Sequence, residues 1–224
     1  MSVTPWRDRA IDQAQAVDRA RLRSLKTVEG IVSAARSLVI ERRGEPFTTH
    51  ELVERSGSSL QTIYRYFPSK DALLLAVFEE AIAHGTALIR DAASSIEDPV
   101  ERFRRIVELS IPDEPPETFE IDAALLVSVH TRLALQFPEE VEHAQRQYVQ
   151  MVRDCIDEMV AADRIAPRAD PDEDARLVTY LVRSTYQALV TSRADDRAHV
   201  AAHVTRFCLD ALGQPNFTTT EDPR

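Results

Sequence analysis

Between Thr48 and Phe67 the chain reads TTHELVERSGSSLQTIYRYF, a run dense in side chains that could hold a polyanion and discriminate its bases. Ser59, Gln61 and Thr62 bring two hydroxyls and a carboxamide to the start of a short helix, and those groups match the donors and acceptors on base edges in the major groove. Tyr64, Arg65 and Tyr66 follow with two phenols and a cation suited to phosphate oxygens. Lys70 falls in the first turn of the next helix, where unpaired backbone amides already favour an anion. Leu60 fits two descriptions, a surface apolar residue or a contact to a thymine methyl. Phe67 suits the core of a small helical domain, and the tyrosines suit the surface because their hydroxyls need partners.

Those side chains are useful only if helices hold them, and the flanking residues specify helices. Val28, Ile31, Val32, Ala35, Leu38 and Val39 recur at helical spacing until Arg42-Arg43-Gly44, where Gly44 can take the left-handed position that closes a helix. Thr48 and Glu51 match a capping box, with Phe47 and Leu52 at the staple positions. The helix they open ends at Ser56. Gly57 supplies a turn, and Ser58-Ser59 offers the cap of a second short helix that stops before Pro68. A third start at Ser69 leads into an apolar stripe that runs through Leu73, Leu74, Val77, Phe78, Ala81, Ile82, Leu88 and Ile89 toward Ala93. Beyond it, Asp98-Pro99 opens a helix that breaks at the proline-rich stretch Pro112 to Pro116, and another is expected over about Glu117 to Phe137. Pro138 starts the helix with the cleanest stripe, Val141 to Met159. Asp170-Pro171 opens the next, and Asp195 or Asp196 caps the last, which Gly213 and Pro215 end. The expected fold is all-α: a three-helix helix-turn-helix domain followed by a helical body.

Composition agrees. Five glycines are too few and too scattered for the turns of a sandwich or a doubly wound sheet. Cys155 and Cys208 form no CxxC and suggest no disulfide framework or zinc site; a reducing cytoplasm is the natural setting. The N-terminus lacks a signal-peptide pattern and no apolar run approaches membrane-spanning length, so neither secretion nor membrane insertion is expected. The net charge of −10 would oppose nucleic acid if it were uniform, but residues 1–70 hold 12 Lys and Arg against 8 Asp and Glu while residues 71–224 hold 15 against 29. A cationic front and an anionic body present one face to phosphate. Arg7, Arg9, Arg19, Arg21 and Arg23 suit either a minor-groove arm or a solvated tail or helix extension, since Asp8, Asp12 and Asp18 are interleaved.

The stretch FTTHELVERSGSSLQTIYRYFPSKDALLLAVF resembles the N-terminal signature of the TetR family of bacterial one-component transcriptional regulators. The shared features are the Thr cap, the Gly turn, the Tyr-x-Tyr-Phe close and the Ser-Lys-Asp-Ala-Leu entry to the linking helix, over roughly Leu25 to Gly85. The resemblance implies phosphate contacts from Thr48, Tyr64, Tyr66 and Lys70 and base contacts from Leu60, Gln61 and Thr62. Val53, Ser56, Ser58 and Gln61 depart from the residues usual there. It further implies a dimer through the two terminal helices, a double-stranded palindromic operator, and release by a small-molecule effector. The corresponding domains are an arm at 1–24, the DNA-binding domain at 25–85 with its helix-turn-helix at 48–67, a regulatory and dimerisation body at 86–212, and a disordered tail at 213–224.

In the body, polar residues on apolar stripes are the local guide to a ligand site. His130 shares a face with Leu126, Leu133 and Phe137; Tyr148 lies on the clean stripe; Arg183 and Tyr186 share a face with Thr179 and Val190. Each also fits a satisfied core or interface group. His199 and His203 have metal-capable spacing without a third ligand, so no metal or cofactor is expected. Gly85 interrupts the linking helix, as a hinge or as a point of close helix contact. Two other functions compete: a DNA-binding regulator whose body docks a protein partner, and a helical enzyme. The enzyme would lack HExxH, a phosphate loop, a nucleophile elbow and any Cys/His constellation.

Overall fold

The computed structural model describes residues 5–42, 45–111, 129–192 and 196–213, with the side chains of residues 5–20 and 190–192 excepted. Among them the secondary structure is entirely helical: α1 (Pro5–Glu41), α2 (Thr49–Ser56), α3 (Leu60–Tyr66), α4 (Lys70–Ala93), α5 (Pro99–Ser110), α6 (described over residues 129–136), α7 (Pro138–Ala161), α8 (Pro171–Ser192) and α9 (Arg197–Ala211). The Gly44 cap, the stretch Pro112 to Pro116, the expected helix start at Glu117, Leu126, Asp195 and the tail from Gln214 lie outside the described residues, as do the side chains of Arg7, Arg9, Arg19 and Val190.

Local signals set the boundaries. The Asp98 carboxylate accepts from the Val100 and Glu101 amides, with Pro99 at the first helical position of α5. Asp170 accepts from the Glu173 amide ahead of α8, and Asp196 from the His199 amide ahead of α9. The first helix is the main departure in length. It begins at Pro5, more than twenty residues before its apolar stripe, because no Gly or Pro interrupts the Ala-, Arg- and Gln-rich residues between Pro5 and Gly30.

The chain divides into two compact units, Met1–Val77 and Phe78–Arg224. In the first, α1 contributes Ile31, Val32, Ala35, Leu38 and Val39 to a core completed by Phe47, Leu52, Ile63, Phe67, Leu73, Leu74 and Val77. Arg55 on α2 clamps Glu41 on α1 through two hydrogen bonds of 2.6 and 2.8 Å, and Arg42 pairs with Glu51. In the second unit α5, α7, α8 and α9 enclose Phe103, Ile106, Val107, Val152, Ile156, Met159, Val182 and Cys208. Both cysteines are buried free thiols, pushed up to about 11 by burial, which leaves them protonated and inert near neutrality.

Two expectations are corrected here. The linking helix α4 is long and apolar enough, by length and composition, to cross a membrane; the count of unbroken apolar residues missed it because isolated polar positions interrupt the run. Its buried residues belong instead to protein cores, Leu73, Leu74 and Val77 in the first unit and Phe78, Ala81, Ile89 and Ala93 in the second. At Gly85 a Cβ would meet nothing within 4 Å among the described residues, so close packing against them does not account for the glycine.

Candidate nucleic-acid interface

The helix-turn-helix is assembled from three capping devices. Thr48 Oγ1 accepts from the Glu51 amide at 3.2 Å while a Glu51 carboxylate oxygen accepts from the Thr48 amide at 2.7 Å, closing the capping box that starts α2. Gly57 then takes φ 65° and donates to the Val53 carbonyl, a left-handed stop that a residue with a Cβ adopts only at a cost. Two residues later Ser59 Oγ accepts from the Thr62 amide at 3.1 Å and caps α3.

Seven residues of α3 therefore have little freedom of rotation about the helix axis. Ile63 and the C-terminal Phe67 are buried, and Leu60, Gln61, Tyr64 and Arg65 stand on the opposite face in solvent. Gln61 and Tyr64 have no hydrogen-bond partner among the described residues, so their amide and phenol are available to an incoming ligand. The other predicted contact residues are already engaged. The Ser59 and Thr62 hydroxyls bond each other at 2.9 Å. Thr48, exposed, is held by Glu51. The Tyr66 hydroxyl accepts from Arg65 at 3.1 Å and bonds Ser24, and these contacts draw its pKa below that of an ordinary phenol, Ser24 contributing most. Lys70 Nζ donates to the Phe47 carbonyl at 2.6 Å. The Phe47 and Ser24 partners were not anticipated; each is more than twenty residues distant, beyond any local pattern.

The predicted ligand residues of the second unit separate into two groups. Tyr148 and Tyr186 belong to its core: the Tyr148 hydroxyl bonds Ser110 at 2.7 Å, burial holds the phenol protonated, and Tyr186 is buried. His130 and Arg183 meet, 3.5 Å apart, at Gln145 on α7, whose Oε1 accepts from Arg183 at 2.8 Å. Gln145 was not foreseen, although its place four residues after buried Val141 and three before Tyr148 puts it on the buried stripe of α7. Burial, reinforced by the Arg183 charge, lowers the His130 pKa below that of an ordinary imidazole. His199 and His203 are exposed, and no group of three or more metal-capable side chains occurs among the described residues.

Comparison with known proteins supplies the wider context. Residues 31–77 match the model for bacterial regulatory proteins, tetR family. The chain is 25% identical over 158 residues, 70% of its length and 79% of the relative's, to the uncharacterized HTH-type transcriptional regulator YvdT of Bacillus subtilis (strain 168). Its structure is similar to that of the fatty acid degradation regulator FadR from Bacillus halodurans, with a TM-score of 0.67 and 17% identity over 84% of this chain and 97% of that one. It is also similar to RolR in complex with resorcinol, with a TM-score of 0.64 and 18% identity over 88% of this chain and 100% of that one.

Proposed function

We propose that this chain, which belongs to the TetR family of bacterial transcriptional regulators, is a cytoplasmic homodimeric repressor that a small-molecule effector releases from a palindromic operator. The observation that carries the reading is the outer face of α3, where Leu60, Gln61, Tyr64 and Arg65 project from a helix anchored by Ile63. In this reading Leu60 and Gln61 meet base edges, and Tyr64 and Arg65 meet phosphates. Ser59, Thr62, Thr48, Tyr66 and Lys70 chiefly hold α3 in register, and their polar atoms at the protein surface add phosphate contacts.

Dimerisation is supported by an apolar face left over on the last two helices. Leu177 and Tyr180 on α8 and Phe207 on α9 are 55%, 43% and 58% exposed, whereas Leu189 and Val204 are buried within the unit. Two such faces related by a twofold axis would cover each other and present two recognition helices to two half-sites. Sensing is supported by the polar cluster in which half-buried His130 and Arg183 meet at buried Gln145. Effector binding would act through α4, the helix that contributes core residues to both units. Recovery and sequencing of genomic fragments bound by the full-length chain tests the reading. A shared inverted repeat is the expected result; a collection without common sequence would overturn it.

A further inference from the structure

The arrangement around Arg183 specifies the chemistry of the effector, an inference that rests on the sensor reading above. A guanidinium can only donate, so its Nη1 contact at 2.8 Å fixes the Gln145 amide with Oε1 toward Arg183 and the NH2 group toward His130. Gln145 Nε2 and Arg183 Nη1 then both approach His130 Nε2, at 3.4 and 3.5 Å, and two donors converging on one ring nitrogen require that it be an acceptor. His130 is accordingly a neutral imidazole with its proton on Nδ1, in keeping with the direction of its pKa shift. Nη1 is thus fully occupied by Gln145 and His130.

The other edge of the guanidinium differs. Nε and Nη2 bond no described residue, and no described carboxylate pairs with Arg183, whose charge is partly desolvated and faces the Tyr180 ring at 5.2 Å. A half-buried arginine is ordinarily matched by an acid. Here three N–H donors on a flat edge, spaced to meet both oxygens of a carboxylate, lack one among the described residues. We propose that the effector carries a carboxylate, received side-on by Arg183 Nε and Nη2 while Gln145 and His130 lock Nη1 and hold the plane of the fork.

The test uses the full-length chain in thermal-shift and calorimetric titrations with benzoate and octanoate, against their uncharged counterparts benzamide and octanol. The acids should raise the melting temperature and the neutral compounds should not. Arg183→Gln should weaken acid binding by about tenfold or more, and Arg183→Lys, which keeps the charge and loses the fork, should fall between. Equal binding of acids and neutral compounds, or acid binding unchanged in Arg183→Gln, would overturn the assignment, as would failure of both acids to bind the parent chain. The sensor reading is judged separately, by release of the recovered DNA fragment: a neutral compound that releases it equally from parent and Arg183→Gln would leave the sensor standing and the carboxylate site refuted.

Discussion

Lys70 reaches from the first turn of α4 to the Phe47 carbonyl at 2.6 Å, and its ammonium lies 4.4 Å from the centroid of the Phe47 ring. Phe47 is the buried residue that precedes the Thr48 cap, so a single cation fixes the chain where α2 begins. Lys70→Met keeps most of the aliphatic stem and removes the charged donor. It should destabilise the protein by about 1 to 3 kcal/mol in urea unfolding, the usual worth of a charge-assisted hydrogen bond. Affinity should fall alike for every DNA sequence; an unchanged unfolding midpoint would show the contact to be incidental.

Acid should loosen the same corner. The Thr48 amide and hydroxyl and the Arg42 guanidinium hold the Glu51 carboxyl down to about 2 from 4.5. A carboxyl with a depressed folded-state pKa stabilises fully above its unfolded value and ceases to do so as pH falls through the folded one. The parent should therefore lose more thermal stability than Glu51→Gln between pH 5 and pH 2, and the two should converge at the acid end. Circular dichroism melts across that range decide it; parallel curves would contradict the assigned pairing.

What was legible in the chain was local. Thr48, Ser59, Asp98 and Asp196 each cap a helix by reaching an amide two or three residues ahead, an interaction visible as spacing. Gly57 punctuates the turn for a backbone reason that does not depend on surroundings. The pairings across distance were not legible: Arg55 with Glu41, Lys70 with Phe47, Ser110 with Tyr148, and Gln145 with both His130 and Arg183. Gln145 is instructive, because a glutamine in a helix ordinarily signals a solvated face, and only packing of several helices makes it a buried linker. The faces of α8 and α9 were also blurred, since apolar residues occur on both sides and periodicity alone does not say which side this chain covers itself.

Gly85 provides a further check. With no described residue within 4 Å of a Cβ placed there, Gly85→Ala should recover helix propensity and stabilise the chain by up to about 1 kcal/mol. If the glycine is a hinge for release, the same substitution should weaken effector-induced dissociation while operator affinity in the absence of effector is retained or raised. Thermal unfolding together with release titrations separates the two effects, and a destabilised variant would contradict the open surroundings of the site.

The exposed ring of Phe207 allows the dimer to be tested without disturbing the core. Phe207→Asp would place two charges in the twofold contact, so sedimentation at micromolar concentration should find a monomer with unchanged helicity and at least about tenfold weaker operator binding. A dimer of parental stability would move the interface elsewhere.

The central claim is that α3 reads DNA as one of a symmetric pair, and quantitative competition binding on a recovered genomic fragment tests it most directly. Parent and Gln61→Ala would be titrated against the fragment, against versions with each base pair replaced in turn, and against one with a half-site scrambled. The account predicts two chains per fragment, strong loss on scrambling either half, and in Gln61→Ala a preference relaxed by about 1 to 3 kcal/mol at matching positions of both halves. A preference profile identical in parent and variant, or full binding to the scrambled fragment, would contradict it.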